Sequence, residues 1–143
     1  MARRPAREAA MRLLYQEIFT RDSEGCDLEA FREITADLVL EKKDISYVKD
    51  IVRGCMDHQE EIDRIIRVHS KTWKFERIAK VDLSILRLAL YEINYRDDIP
   101  DSVSVNEAVE LGKKYGGDQS GSYINGILGA YLRQCAPSGS PSS

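Results

Sequence analysis

Apolar positions along this chain recur at intervals of three, four and seven residues, and no stretch alternates convincingly with a period of two. The pattern therefore predicts helices throughout. From about Ala6 to Thr20, Ala10, Leu13, Leu14 and Ile18 share one stripe that Met11, Tyr15 and Phe19 widen, and Pro5 suits the first turn. RDSEGCD reads as a loop, after which DLEAFREITADLVL resumes a helix with Leu28, Phe31, Ile34 and Leu38 in line. Beyond EKKD, a long helix is predicted from about Asp44 to His69, carried by Ile45, Val48, Val52, Cys55, Ile62, Ile66 and His69. Gly54 and the polar run DHQEE are the points where it is expected to bend or break.

VDLSILRLALYEI is apolar on nearly every face, the signature of a central helix enclosed by others. RDDIPD stops it, because Pro100 disfavours a helical Ile99. Ser104 and Glu107 in SVNE have capping-box spacing, with Val103 as the staple residue, so the next helix is predicted to start there and to end at Gly116 and Gly117. A last helix runs from about Ser122 to Gln134 with Ile124, Ile127, Leu128 and Tyr131 facing inward. The fold class expected is all-α, a bundle of about seven helices. It forms one domain over residues 1–135, with APSGSPSS at 136–143 a disordered tail by composition. A length of 143 residues, 43% hydrophobic, agrees with one ordinary core.

Charge changes the picture. The chain carries 21 Lys+Arg against 24 Asp+Glu, a net charge of -3, yet its first twelve residues hold Arg3, Arg4, Arg7 and Arg12 against Glu8 alone. A basic cluster on an acidic body suits a polyanionic partner. The start lacks the apolar stretch of a secretory signal and no apolar run is long enough to cross a bilayer, so a cytoplasmic protein is expected. Cys26, Cys55 and Cys135 form no C-x-x-C pair and read as reduced thiols.

Catalytic constellations are not found. His58 and His69 lie about 16 Å apart along one helix by its rise, too far to share a metal or a proton; His69 reads as a packed core residue and His58 as solvent-facing. GGDQSGSYING has no Walker lysine and no G-x-G-x-x-G spacing, and is read as an interhelical turn. No enzyme activity, metal or cofactor is expected.

The arginines carry more chemistry. Arg3, Arg4 and Arg7 sit at a helix N-terminus, where the macrodipole already supplies positive charge. Two readings stand: an anion-binding site in which N–H groups, dipole and guanidinium forks act together on phosphate, or a solvated terminus.

Four stretches in order, ARRPAREAAMRLLYQ, WKFERIAKVDLSILRLALYEI, DIPDSVSVNEAVELGKKYG and SGSYINGILG, resemble the NusB family of bacterial transcription antitermination factors. The resemblance implies an all-helical RNA-binding protein without enzymatic activity. It also implies that the chain pairs with the small-subunit ribosomal protein NusE, recognises single-stranded boxA RNA and joins the transcription elongation complex at ribosomal RNA operons. Some family members self-associate, so a homodimer is a further partner to consider. The RNA-contacting residues it implies are Arg3, Arg4 and Arg7, with Pro5 where another basic residue can stand, and Gln119 and Tyr123 near the start of the last helix. Tyr123 has a base-stacking reading and a core reading. Asp82 either lies beside the surface offered to RNA and NusE or is the N-cap of the central helix. Trp73 is read as hinge packing. Gly112 replaces the usual Ala and Gly129 a common acidic residue, each at a cost in helix propensity. Two other readings remain: an accessory module of a ribosomal RNA methyltransferase, which would need a catalytic part elsewhere because no βαβ unit is present, and a scaffold that binds only protein.

Overall fold

The computed structural model describes residues 2–20 and 28–135, and these form seven α-helices and one 3-10 turn, with no strand among them. The helices are α1 (Arg4–Thr20), α2 (Leu28–Ile34), α3 (Lys42–Asp57), α4 (Gln59–His69), α5 (Lys80–Tyr95), α6 (Asp101–Tyr115) and α7 (Ser120–Cys135), with the 3-10 turn at Phe75–Arg77. The all-α bundle expected from the periodicity is the one that forms. The expected tail at 136–143 and Cys26 lie outside the described residues.

α5 is the central element, packed against α1, α3, α4, α6 and α7. Leu83, Ile85, Leu86, Leu88, Ala89 and Leu90 are all buried, so nearly every face is covered, as its uninterrupted apolar run requires. α1 lays Ala6, Ala9, Ala10, Leu13 and Leu14 into the same core. α6 and α7 pack closely because Gly112 has no side chain: a Cβ there would come within 2.8 Å of Ile124 Cδ1. The glycine that weakens α6 as a helix thus admits its neighbour.

One break falls where the polar run DHQEE predicts it and two boundaries differ from the periodic reading, each for a local reason. The stretch from Asp44 to His69 is two helices, because His58 leaves helical geometry (φ −114°, ψ 18°) and its N–H closes α3 on the Gly54 carbonyl at 3.0 Å. Gly54 lies against the Tyr91 ring, where a Cβ would meet ring carbons at 2.1 Å. Its place is therefore one of close approach, and the break falls at the polar run beyond it. The helix expected from DLEAFREITADLVL ends at Ile34, and residues 35–38 form turns in which Thr35 Oγ1 donates to the Phe31 carbonyl at 2.7 Å.

Ser104 is not an N-cap: α6 begins at Asp101 after Pro100, and Ser104 is buried inside it with its hydroxyl committed to α5. His69 is likewise not a core residue. It is half-buried at the edge, its Nε2 2.8 Å from Gln134 Oε1.

Leu86, completely buried in α5, tests this arrangement. Leu86→Asp would place an unpaired carboxylate among apolar neighbours and is expected to abolish the cooperative thermal transition seen by circular dichroism. A melt like that of the unsubstituted chain would remove α5 from the centre.

Candidate nucleic-acid interface

The arginines at the start of α1 divide into two kinds. Arg7 lies on the buried side of the helix, between Ala6 and Ala10, with 2% of its surface exposed. Its Nε and Nη2 donate to Glu92 Oε2 and Oε1 at 3.0 and 3.2 Å, and its Nη1 donates to the Ala2 carbonyl at 2.9 Å. Glu92, fully buried on α5, also accepts the Ser104 hydroxyl at 2.7 Å and the Tyr47 hydroxyl. Its two oxygens are thereby saturated, and α1, α3, α5 and α6 meet on one carboxylate. Burial is the largest influence and works against the Arg7 charge, but the Glu92 hydrogen bonds together with the charges of Glu92, Tyr47 and Glu107 outweigh it and leave the guanidinium pKa above its ordinary value. Burial, followed by the Glu92 charge, pushes the Tyr47 hydroxyl well up, so it stays a donor.

Arg3 and Arg4 are different. Arg4 makes a two-pronged pair with Glu107 on α6, at 3.1 and 3.0 Å, with 58% of its side chain exposed. Arg3 reaches Glu41 at 3.1 Å and Asp44 at 3.5 Å, and donates to the Val39 carbonyl at 3.3 Å. Both guanidiniums are open to solvent although Asp44 and Glu107 are not, so either can turn to another acceptor without leaving the core. Protein carboxylates thus already answer the positive helix end. The expectation that all three arginines are equally open to phosphate is corrected for Arg7, whose buried pair would have to break first.

Asp82, Gln119 and Tyr123 meet elsewhere, where the starts of α5 and α7 adjoin. Asp82 is not a cap: Ala79 holds that position, and Asp82 lies in the first turn of α5, buried, with Oδ1 lacking any hydrogen-bond partner among the described residues. Burial pushes its carboxyl pKa up, and the Ser120 hydroxyl opposes this. Gln119 is exposed just before α7, and its carbonyl accepts the Tyr123 N–H at 3.0 Å. Tyr123 is half-buried against the core, its hydroxyl 2.7 Å from Ser70 Oγ. Asp82 and Glu92 are ten residues apart on α5, so this trio lies about 15 Å along the helix from the arginine end.

The structure adds two residues, Lys114 and Tyr115, that sequence reasoning misses, and corrects the reading of Trp73. Lys114, fully at the surface, bonds Glu8 Oε1 at 2.9 Å, and the Tyr115 hydroxyl donates to the same oxygen. Trp73 is 51% exposed instead of packed at a hinge. The alternation of aromatic and basic residues in KTWKFER was the available signal. Chemistry of other kinds is not assembled: no group of three metal-ligating side chains occurs among the described residues, and His58 stacks on Tyr95 with ring centres 4.1 Å apart. Burial pushes the Cys55 thiol far up and leaves it inert. No helix among the described residues is long and apolar enough to cross a membrane.

Comparison with known proteins adds four likenesses. The family model described as "NusB family" matches residues 4–133. The transcription antitermination protein NusB of Acetivibrio thermocellus is 50% identical over 133 residues, which span 93% of this chain and 90% of that protein. Among solved structures, T. maritima NusB superposes with a TM-score of 0.78 at 32% identity, covering 96% of both chains. A chain in a crystal structure of antitermination factors NusB and NusE in complex with dsRNA gives a TM-score of 0.78 at 28% identity, covering 92% of this chain and 96% of that one.

Two outcomes follow from the side-chain geometry. Arg7→Ala leaves Glu92 charged and buried, and is expected to cost about 3–5 kcal/mol in denaturant unfolding, whereas Arg4→Ala is expected to leave the unfolding midpoint nearly unchanged. Similar losses for the two would erase the distinction. Because Asp82 has its carboxyl pKa raised in the folded state, the folded chain holds that proton more tightly than the unfolded one, so its contribution to stability falls as pH rises through this window. Asp82→Asn is therefore expected to raise the melting temperature at neutral pH, with the gain shrinking as the buffer is made acidic. A gain independent of pH would contradict the assignment.

Proposed function

From the premise that this chain belongs to the NusB family of transcription antitermination factors, we propose that it binds boxA-type single-stranded RNA together with the ribosomal protein NusE and so supports ribosomal RNA transcription. The family is one of transcription factors, and the chain is not an enzyme. It acts in the cytoplasm, as part of the elongation complex.

The observation that carries this reading is the pair Arg3 and Arg4: two guanidinium forks at a helix N-terminus whose own side chains are 40% and 58% exposed, on a chain of net charge -3. An RNA phosphate replaces Glu107 or Glu41 at little cost, because each guanidinium exchanges one charged acceptor for another near the positive helix end. Arg7 serves as a positioning residue: pinned to Glu92, it holds the first turn of α1 where its neighbours face outward. Asp82, Gln119 and Tyr123 form the second part of the surface, about 15 Å along α5.

Two phosphate contacts and one half-buried ring supply modest affinity, and phosphate contacts carry no sequence information. Specificity therefore needs more surface. The relative solved with NusE and dsRNA supports NusE as its source, since a strand held by both proteins makes its second contact effectively intramolecular.

Arg3 and Arg4 are expected to contribute about 1.4 to the slope with which log affinity for a boxA-like single strand falls with log salt, from ~0.7 per phosphate. Arg3→Glu with Arg4→Glu is expected to remove most of that binding and leave the melt nearly unchanged. NusE is expected to tighten the boxA strand at least about tenfold, and a scrambled strand or a duplex less. Unchanged RNA affinity in the double variant would refute the arginine site. Binding of NusE with no RNA bound in any arm would leave a protein-only scaffold.

A further inference from the structure

The segment joining α4 to α5 has no part in the surface described above, although it touches it. Ser70 Oγ donates to the Trp73 carbonyl at 2.5 Å and lies 2.7 Å from the Tyr123 hydroxyl, so the loop is laid against the start of α7. Over it runs a groove of about 550 Å³ lined by Arg67, Ser70, Lys71, Trp73, Lys74 and Phe75. The Arg67 guanidinium sits 4.2 Å from the centre of the Phe75 ring, which fixes the groove's floor, while Trp73 is left half exposed.

Five cations crowd into the fourteen residues from Arg67 to Lys80. Arg67, Lys71, Lys74, Arg77 and Lys80 face only Glu76 within the segment, and among the described residues none of the five is ion-paired. Arg3, Arg4, Arg7, Arg12, Arg87 and Arg96 all have carboxylate partners, and cations such as Lys49 and Arg64 on α3 and α4 stand without one among the described residues, so what sets this segment apart is the gathering of five such cations around an exposed ring. Unpaired cations flanking an exposed indole on an acidic protein make an electrostatic track with a stacking platform, the combination that holds a single nucleic-acid strand. An acidic peptide would use the lysines and leave the ring without a role.

We infer that this groove is a second contact for single-stranded RNA, with a base stacked on Trp73 and the flanking phosphates on Lys71 and Lys74, continuing the strand past Tyr123. The inference rests on the RNA-binding reading above and names a site outside it.

Trp73 is the one tryptophan of the chain, so its fluorescence reports this groove alone. A fluorescein-labelled boxA-like strand is titrated with the full chain while anisotropy is followed, and tryptophan emission is followed with the unlabelled strand. A poly-glutamate peptide of equal charge serves as the comparison. Emission is expected to be quenched at the midpoint given by anisotropy, and not by poly-glutamate. Trp73→Ala is expected to weaken the strand at least about fivefold, and Trp73→Phe to retain most of the affinity. Lys71→Glu with Lys74→Glu is expected to flatten the salt slope by about 1.4, with melts unchanged in all three variants.

RNA binding that needs Arg3 and Arg4 but leaves the emission and these variants unaffected would overturn the groove and keep the proposed function. Equal quenching by poly-glutamate would assign the groove to an acidic protein instead. Absence of RNA binding in every arm would remove both readings.

Discussion

A fully buried carboxylate in the middle of an apolar helix is the constraint on which the other features of this chain depend. Glu92 accepts two bonds from Arg7, one from Ser104 and one from Tyr47, so helices α1, α3, α5 and α6 are tied at a single point. Such a group contributes little net stability compared with an apolar core of the same volume, because desolvation offsets the attraction. It is nonetheless strongly selective. Any packing of α1 that fails to bring Arg7 to Glu92 leaves a charge alone in the core, and this excludes the rotations and slips that an alanine-rich stripe would otherwise tolerate.

That selectivity explains how a basic N-terminus persists on an acidic body. With Arg7 fixed inward, Arg3 and Arg4 leave the bundle toward Glu41, Asp44 and Glu107, and their guanidiniums stay open to solvent. Further along α1, Arg12 forks onto Asp37 at 2.6 and 3.1 Å and donates to the Tyr115 hydroxyl at 2.9 Å, tying the helix to α6 and to the turns after α2. The inner contacts hold the helix in place and the outer ones are free to trade partners. A surface that must be both rigid in outline and open to a polyanion has this division of labour.

Much of this was readable from residue order. The run Val81–Ile93 announced an enclosed helix because no spacing of its apolar residues leaves a polar face, and α5 is enclosed. Gly116 ended its helix as expected. The role of Ser104 was misread because S-x-x-E spacing describes a cap and a helix interior equally well, and only the distant acceptor on α5 decides between them. Proximity in sequence groups Arg7 with Arg3 and Arg4. Arg7 stands on the same stripe as Ala10 and Leu14, and its partner is the lone acid near the end of an apolar run. Both halves of the pair were therefore visible as exceptions to their patterns, but nothing local joined them across 85 positions. Trp73 was assigned to packing because aromatic residues usually are. Its exposure depends on how the segment between α4 and α5 is laid down, which periodicity does not encode.

A double-mutant cycle between Arg7 and Glu92 tests the central constraint most directly. Arg7→Met, Glu92→Leu and the pair together are compared with the unsubstituted chain by denaturant unfolding. The account predicts that each single change is severe while the pair is much milder than their sum, a coupling of at least about 3 kcal/mol. Losses that add to within about 0.5 kcal/mol would mean that the two side chains do not depend on each other, and that Glu92 does not organise the bundle.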